Sequence, residues 1–270
     1  MMKNSLIALG AALLAGTTGC SMVHDAMGSA MSSTSNTAGN VVGQRVGSAI
    51  GENISAKILA GYQPGMMGAY TSYLFTLAFS SGGIAVQQGE YEPGDYTRWN
   101  MPSSDGAVNQ IERARLPDDA KGNQWWKVKF VNGKQSETTV LEGLFNPERT
   151  KLLRLRGQFP KEEAKEIPVT EQTYYVAPTK LTAESIEGAT KGTEEVTVPA
   201  GKFTAKHVVY QYGNGTQEWW LADGVPGGLV KQTIEGPKDK GSGKNDYTLT
   251  LAAFGKDAAD ELGAIKSASN

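Results

Sequence analysis

From residue 90 onward the chain alternates apolar and polar positions in short runs, broken by Gly, Pro and Asn. A period of two marks a strand with unlike faces. The runs predict strands over 95–101, 108–115, 124–131, 137–145, 151–158 and 170–176, with Pro93-Gly94 ahead of the first and Asn132-Gly133 as a hairpin turn. Further runs predict strands over 194–198, 202–212, 216–222, 229–235 and 246–254. Residues 160–168 read as a polar connection, 179–190 as holding a short helix, 236–244 as a Gly/Lys loop, and the tail from Lys256 as a short helix at most. Short turns between most runs predict antiparallel meander pairing.

Before residue 90 the period changes. Gly39, Gly43, Gly47 and Gly51 recur every four residues, beside Val42, Val46, Ile50, Ile54 and Ile58 at the same spacing. Spacing of four draws each set into one helical stripe. Each Gly costs about 1 kcal/mol against Ala in a helix, so a packed neighbour must offset the set. The stripe resembles the glycine-zipper segments of some envelope proteins. Such a smooth face suits docking on its own domain, or self-association or membrane contact. Gln44, Arg45, Glu52, Asn53 and Lys57 interrupt it too often for a membrane span. Residues 58–89 carry no charge, and Tyr70, Tyr73, Leu74, Leu77 and Ala78 share a helical face, which predicts a buried helix over 66–80 between Pro64-Gly65 and Ser80-Ser81-Gly82-Gly83.

Composition narrows the class. With 270 residues there is room for one large domain or two small ones. Net charge of −2 makes nucleic acid a poor partner. Cys20 is the only cysteine, so no intramolecular disulfide can form.

The first twenty residues carry an address. Lys3 precedes an apolar run from Leu6 to Leu14, followed by Ala15-Gly16-Thr17-Thr18-Gly19-Cys20. This is the plan of a secretory signal peptide, and the Cys after Gly resembles a bacterial lipobox. Thr17 stands where such motifs usually carry Leu. The resemblance implies cleavage before Cys20, acylation of that cysteine, and, with Ser21 next, delivery to the outer membrane. Residues 21–38, rich in Ser, Thr, Ala and Asn from residue 29, then read as a tether.

Catalytic constellations are missing from the sequence. His24 lies near the tether, and His207 alternates with Phe203, Ala205 and Val209 as a half-buried strand residue. No Cys/His set has zinc spacing, and no serine sits in a Gly-x-Ser-x-Gly elbow. Gly236–Gly241 imitates half a P-loop, but Ser242 stands where its lysine belongs. Asp118-Asp119, Glu162-Glu163 and Glu194-Glu195 are sequence neighbours, so on strands they diverge.

The tryptophans say more. Trp125-Trp126 and Trp219-Trp220 are doublets, and strand alternation sends one indole of each to either face. Both faces of the sheet therefore need cover, from the chain's own helices or from a ligand in an apolar groove that Phe203 would join. Val196-Thr197-Val198-Pro199-Ala200-Gly201-Lys202-Phe203, followed by Trp219-Trp220 and Val225-Pro226-Gly227-Gly228-Leu229-Val230-Lys231, resembles stretches of bacterial envelope lipoproteins whose curved sheet is similar to that of the LolA/LolB lipoprotein carriers.

Together these features predict an α+β fold: a large curved antiparallel sheet, half-barrel-like, with N-terminal helices packed on it. The expected parts are a signal peptide over 1–19, a lipidated N-terminus and tether over 20–38, a helical segment over 39–89, a sheet domain over 90–256 and a tail over 257–270. The expected function is non-enzymatic and without cofactor or metal. It is a lipid-anchored binding or carrier module for acyl chains, or alternatively a structural or assembly lipoprotein of the outer membrane working through envelope protein partners.

Overall fold

The computed structural model describes residues 71, 74–75, 78–79, 84–86, 88–103, 106–169, 175, 179–212, 215–235 and 247–263. Cys20, the tether, the stripe of Gly39, Gly43, Gly47 and Gly51, and most of the 170–176 and 236–244 predictions lie outside the described residues.

Sheet dominates. The strands are β1 (Ile84–Ala85), β2 (Tyr96–Pro102), β3 (Val108–Arg115), β4 (Gln124–Asn132), β5 (Glu137–Phe145), β6 (Leu152–Gln158), β7 (Lys165–Ile167), β8 (Thr179–Lys180), β9 (Thr190–Val198), β10 (Gly201–Tyr212), β11 (Gly215–Leu221), β12 (Leu229–Glu235) and β13 (Tyr247–Gly255), with helix α1 (Ala183–Ala189) before β9. Eleven strands form one antiparallel sheet in the order β7-β6-β5-β4-β3-β2-β13-β12-β11-β10-β9, while β1 and β8 make a separate parallel pair. The sheet is thus two meanders, β2–β7 and β9–β13, joined where β13 pairs with β2.

The α+β expectation is corrected to an all-β fold. The element after residue 80 in the supposed helical segment is the strand β1, and α1 lies in the second half of the chain. From the N-terminal part, only Thr71, Leu74, Phe75, Ala78 and Phe79 are described as helical, and all are buried. The residues 160–168 include β7, and the tail to Gly263 is bent coil rather than helix.

The main core lies on one face. Across β2, β3, β4 and β5 the register aligns Trp99, Ile111, Phe130 and Thr139, and the neighbouring Trp126, Val128, Leu141 and Phe145 share that cluster. The described helical residues Leu74, Phe75, Ala78 and Phe79 fill it. Val230, Leu249 and Leu251 extend it into the second meander. Trp99 Nε1 donates to Leu229 O at 3.1 Å, tying β2 to β12. Ala200 N donates to Leu251 O at 3.0 Å, so the Pro199-Ala200-Gly201 turn folds back onto β13. A smaller core places Ile186 of α1 on Val208, Trp219 and Leu221.

The opposite face of β4–β7 is a charge ladder, with Lys127, Glu142, Arg156 and Glu166 directly cross-strand. The tail covers it. Glu261 takes Lys127 Nζ at 2.6 Å and Lys129 Nζ at 2.8 Å, Asp260 takes Arg156 Nη2 at 2.6 Å, and Glu261 N donates to Glu142 at 2.9 Å.

Candidate functional site: a buried arginine pair in an aromatic cage

The doublets have different surroundings. Trp126 is 2% exposed in the main core, whereas Trp125 is half-buried on the ladder face, with Arg154 at 5.6 Å and Arg156 at 4.4 Å from its ring. Trp219 is buried under α1, with Tyr210 edge-on at 5.7 Å. Trp220 belongs to the main core and stacks on His207 at 4.5 Å, with Lys231 Nζ 4.1 Å from its ring. Phe203 is half-buried against the main core, 6.1 Å from the Phe254 ring. The structure therefore does not gather these five aromatics into one groove. Trp125 and Trp219 stand apart from the main core that holds Trp126 and Trp220 and carries Phe203 at its edge.

His207 has two carboxylate neighbours. Its Nε2 lies 2.7 Å from Glu218 Oε2 and its Nδ1 lies 3.8 Å from Glu194, which also accepts the Trp220 indole N–H. Cross-strand pairing of His207 with Trp220 explains the stack. No group of three or more metal-ligating side chains occurs among the described residues.

A second constellation has no counterpart among the residues singled out in the sequence. Arg113, on the inward side of β3 beside Ile111, is 9% exposed. It donates to Tyr91 Oη from Nε at 3.0 Å and Nη2 at 2.8 Å, and to Ala78 O from Nη1 at 3.0 Å. Its guanidinium lies 4.5 Å from the Tyr91 ring and 5.3 Å from Trp99. Tyr91 also bonds Thr97 through its hydroxyl.

Arg149 comes from the turn between β5 and β6. Asn146 Oδ1 organises that turn by accepting from Thr150 N and Lys151 N at 2.8 and 2.7 Å. Arg149 takes φ of 53° there, a left-handed conformation that costs a non-Gly residue something. The turn points its side chain inward, 8% exposed, to 4.7 Å from the Trp126 ring and 5.0 Å from Phe79. Tyr175 Oη donates to Arg149 O at 3.1 Å, and the Tyr175 ring sits 4.7 Å from Phe145. Burial lowers the Arg149 pKa, with the like charge of Arg113 adding to that, against attraction from Tyr175 and Glu90. Burial likewise raises Tyr175, against the pull of Arg149. A guanidinium still holds its proton, so two positive charges sit together in a poorly hydrated place.

The Val225-Pro226-Gly227-Gly228 turn closes over Tyr91 and Arg113. Gly227 has φ of 72°, and a Cβ on it would lie 2.6 Å from the Tyr91 ring and 2.9 Å from Arg113 Nη2. A bare backbone is required there. The one sequence signal for Arg113 was its parity with Ile111 on β3. Arg149 gave none, because a turn has no period.

Comparison of the chain with protein-family models and with curated proteins finds no match.

Proposed function

We propose that this chain is a lipid-anchored, non-enzymatic binding module of the bacterial envelope, whose aromatic core accepts an acyl chain. The signal peptide pattern and Cys20 support the anchor and the location, facing the periplasm from the outer membrane. The observation that carries the binding reading is how the core is filled. Trp99, Trp126, Phe145 and Tyr175 line it, and Phe75 and Phe79 enter it from a segment outside the sheet. Phe79 meets Trp126 edge-on at 5.4 Å and Phe145 at 5.9 Å. An acyl chain would contact the same rings if these two phenylalanines withdrew, with comparable burial of apolar area.

A second reading has its own support. A core already filled by its own chain needs no ligand, which favours a structural or assembly lipoprotein acting through envelope partners. Native mass spectrometry of the protein extracted from its membrane separates the two. The binding reading expects lipid carried at fixed stoichiometry beyond the N-terminal anchor. A ligand-free protein held in a stable complex would sink it. The anchor has its own control. Cys20→Ser should abolish membrane partitioning and maturation, and a variant that still partitions and matures like wild type would refute acylation at Cys20.

A further inference from the structure

We propose that Arg113 and Arg149 recognise the oxyanion head of an amphipathic ligand, a phosphate or carboxylate borne on an apolar chain. The proposal rests on the binding reading above and assigns the headgroup end of that site. A buried guanidinium without a counter-ion is costly, and proteins ordinarily pair it. This protein does so elsewhere. Arg98 pairs with Glu112, Arg115 with Asp118, Arg154 with Glu166, and Arg156 with Glu142 and Asp260. Among the described residues, Arg113 and Arg149 are the arginines with no carboxylate within ion-pair distance, and they are also the most buried. Glu90, itself exposed, also attracts the Arg149 charge.

The two differ in readiness. Arg113 is held by two bonds to the Tyr91 hydroxyl, which do not depend on the segment carrying Phe79, so it is preorganised. The Arg149 guanidinium lies against ring faces and shares a side-chain hydrogen bond with Tyr175, and the rest of its planar fork is what an incoming oxyanion would engage. Aromatic rings flank both charges, so the apolar part of the same ligand would be covered where its head is bound. Among the described residues these two guanidinium groups have no carboxylate counter-ion, and the ligand's head supplies it.

The test is calorimetric titration of the full chain carrying Cys20→Ser, so that no anchor lipid competes. The probes are dodecyl phosphate, dodecanoate, dodecanol, dodecyltrimethylammonium and inorganic phosphate, each below its micellar concentration. The proposal expects the two anionic amphiphiles to bind at least about tenfold tighter than dodecanol, the ratio of one good charge-assisted contact. Dodecyltrimethylammonium should be weaker still. Arg149→Met should close the gap between dodecyl phosphate and dodecanol by weakening dodecyl phosphate, and Arg149→Lys should retain part of that gap. Ligand-free Arg149→Met should melt no lower than wild type, since an uncompensated buried charge has gone. A purely structural arginine would give a lower melting temperature, and that result overturns the proposal. Equal affinity for dodecanol and dodecyl phosphate also overturns it but spares the binding reading. Inorganic phosphate binding as tightly as dodecyl phosphate overturns the amphipathic part. No binding by any amphiphile overturns both.

Discussion

At the scale of single residues, neighbours in sequence have opposite energetic weight. Trp126 meets Phe79 and Tyr91 in the main core, and its indole N–H donates to Gln124 Oε1 at 3.0 Å. Trp125 lies between two arginines on the ladder face. Trp126→Ala should cost about 3–5 kcal/mol in urea denaturation, and Trp125→Ala less than about 1.5 kcal/mol, because surface cation–π contacts are weak. Equal losses would mean that the ladder face is as tightly packed as the core. Gly227 is a second sensitive point. Gly227→Ala combines a left-handed φ with a Cβ driven into Tyr91 and Arg113. It should destabilise by about 1–3 kcal/mol, whereas Gly224→Ala, with φ of 79° but open space around its Cβ position, carries only the backbone part. A Gly227→Ala loss no larger than that of Gly224→Ala would show that the turn does not press on Tyr91 and Arg113.

At the scale of elements, the tail is a latch built from charges. Burial pushes the carboxyls of Glu261 and Asp260 upward, but hydrogen bonds from Lys127 and Lys129 to Glu261, and from Gly263 N–H and Arg156 to Asp260, leave both pKa values lowered. A lowered carboxyl stabilises the fold fully above its unfolded pKa and loses that contribution as pH falls through its folded value. Glu142 runs the other way. Burial raises it, with Asp260 adding to the shift, against the Glu261 N–H and Arg156. Its ionised form is a cost at neutral pH, which a proton relieves. Acidification should therefore protonate Glu142 first, with the latch intact, and release the tail only below the usual carboxylate range, under about pH 4. Amide protection factors at Ala258, Glu261 and Gly263, whose N–H groups are all bonded, should follow that order. Glu261→Gln should lower them already at pH 7, and unchanged protection in that variant would refute the latch. Strands β3, β5 and β12 were legible to the residue in sequence because alternation and turn residues mark both their ends. The three-residue β7 was too short to show a period. The tail was illegible for another reason: its order comes from partners more than a hundred positions away, such as Lys127 and Arg156.

At the scale of the molecule, the meander pairing was readable strand by strand, but the fold class was not. Residues 39–89 carry helical spacing, and spacing alone assigned them a full layer. Among the described residues, what they add to the core is one face around Leu74, Phe75, Ala78 and Phe79, and the rest of that core is sheet with loop residues such as Tyr91, Phe159 and Val225. Nor was the arginine pair readable, since β3 and the β5–β6 turn meet only once the sheet has formed. The seam between the meanders is where that sheet becomes one body. Leu251 pairs with Trp99 across β13 and β2, is 0% exposed, and accepts the Ala200 N–H through its carbonyl. Trp99 in turn bonds Leu229 and lies beside the Arg113 guanidinium. With rings of both halves in one cluster, the chain should unfold in a single transition, and slow-exchanging amides of β4 and of β11 should converge on one opening free energy as denaturant rises. Leu251→Ala should lower that common value by about 2–5 kcal/mol without separating the two strands. If β11 instead opens at a lower free energy than β4, the halves are coupled only by hydrogen bonds at the seam. The buried arginines would then belong to the β2–β7 half alone, and the Gly227 turn would no longer be required to hold them.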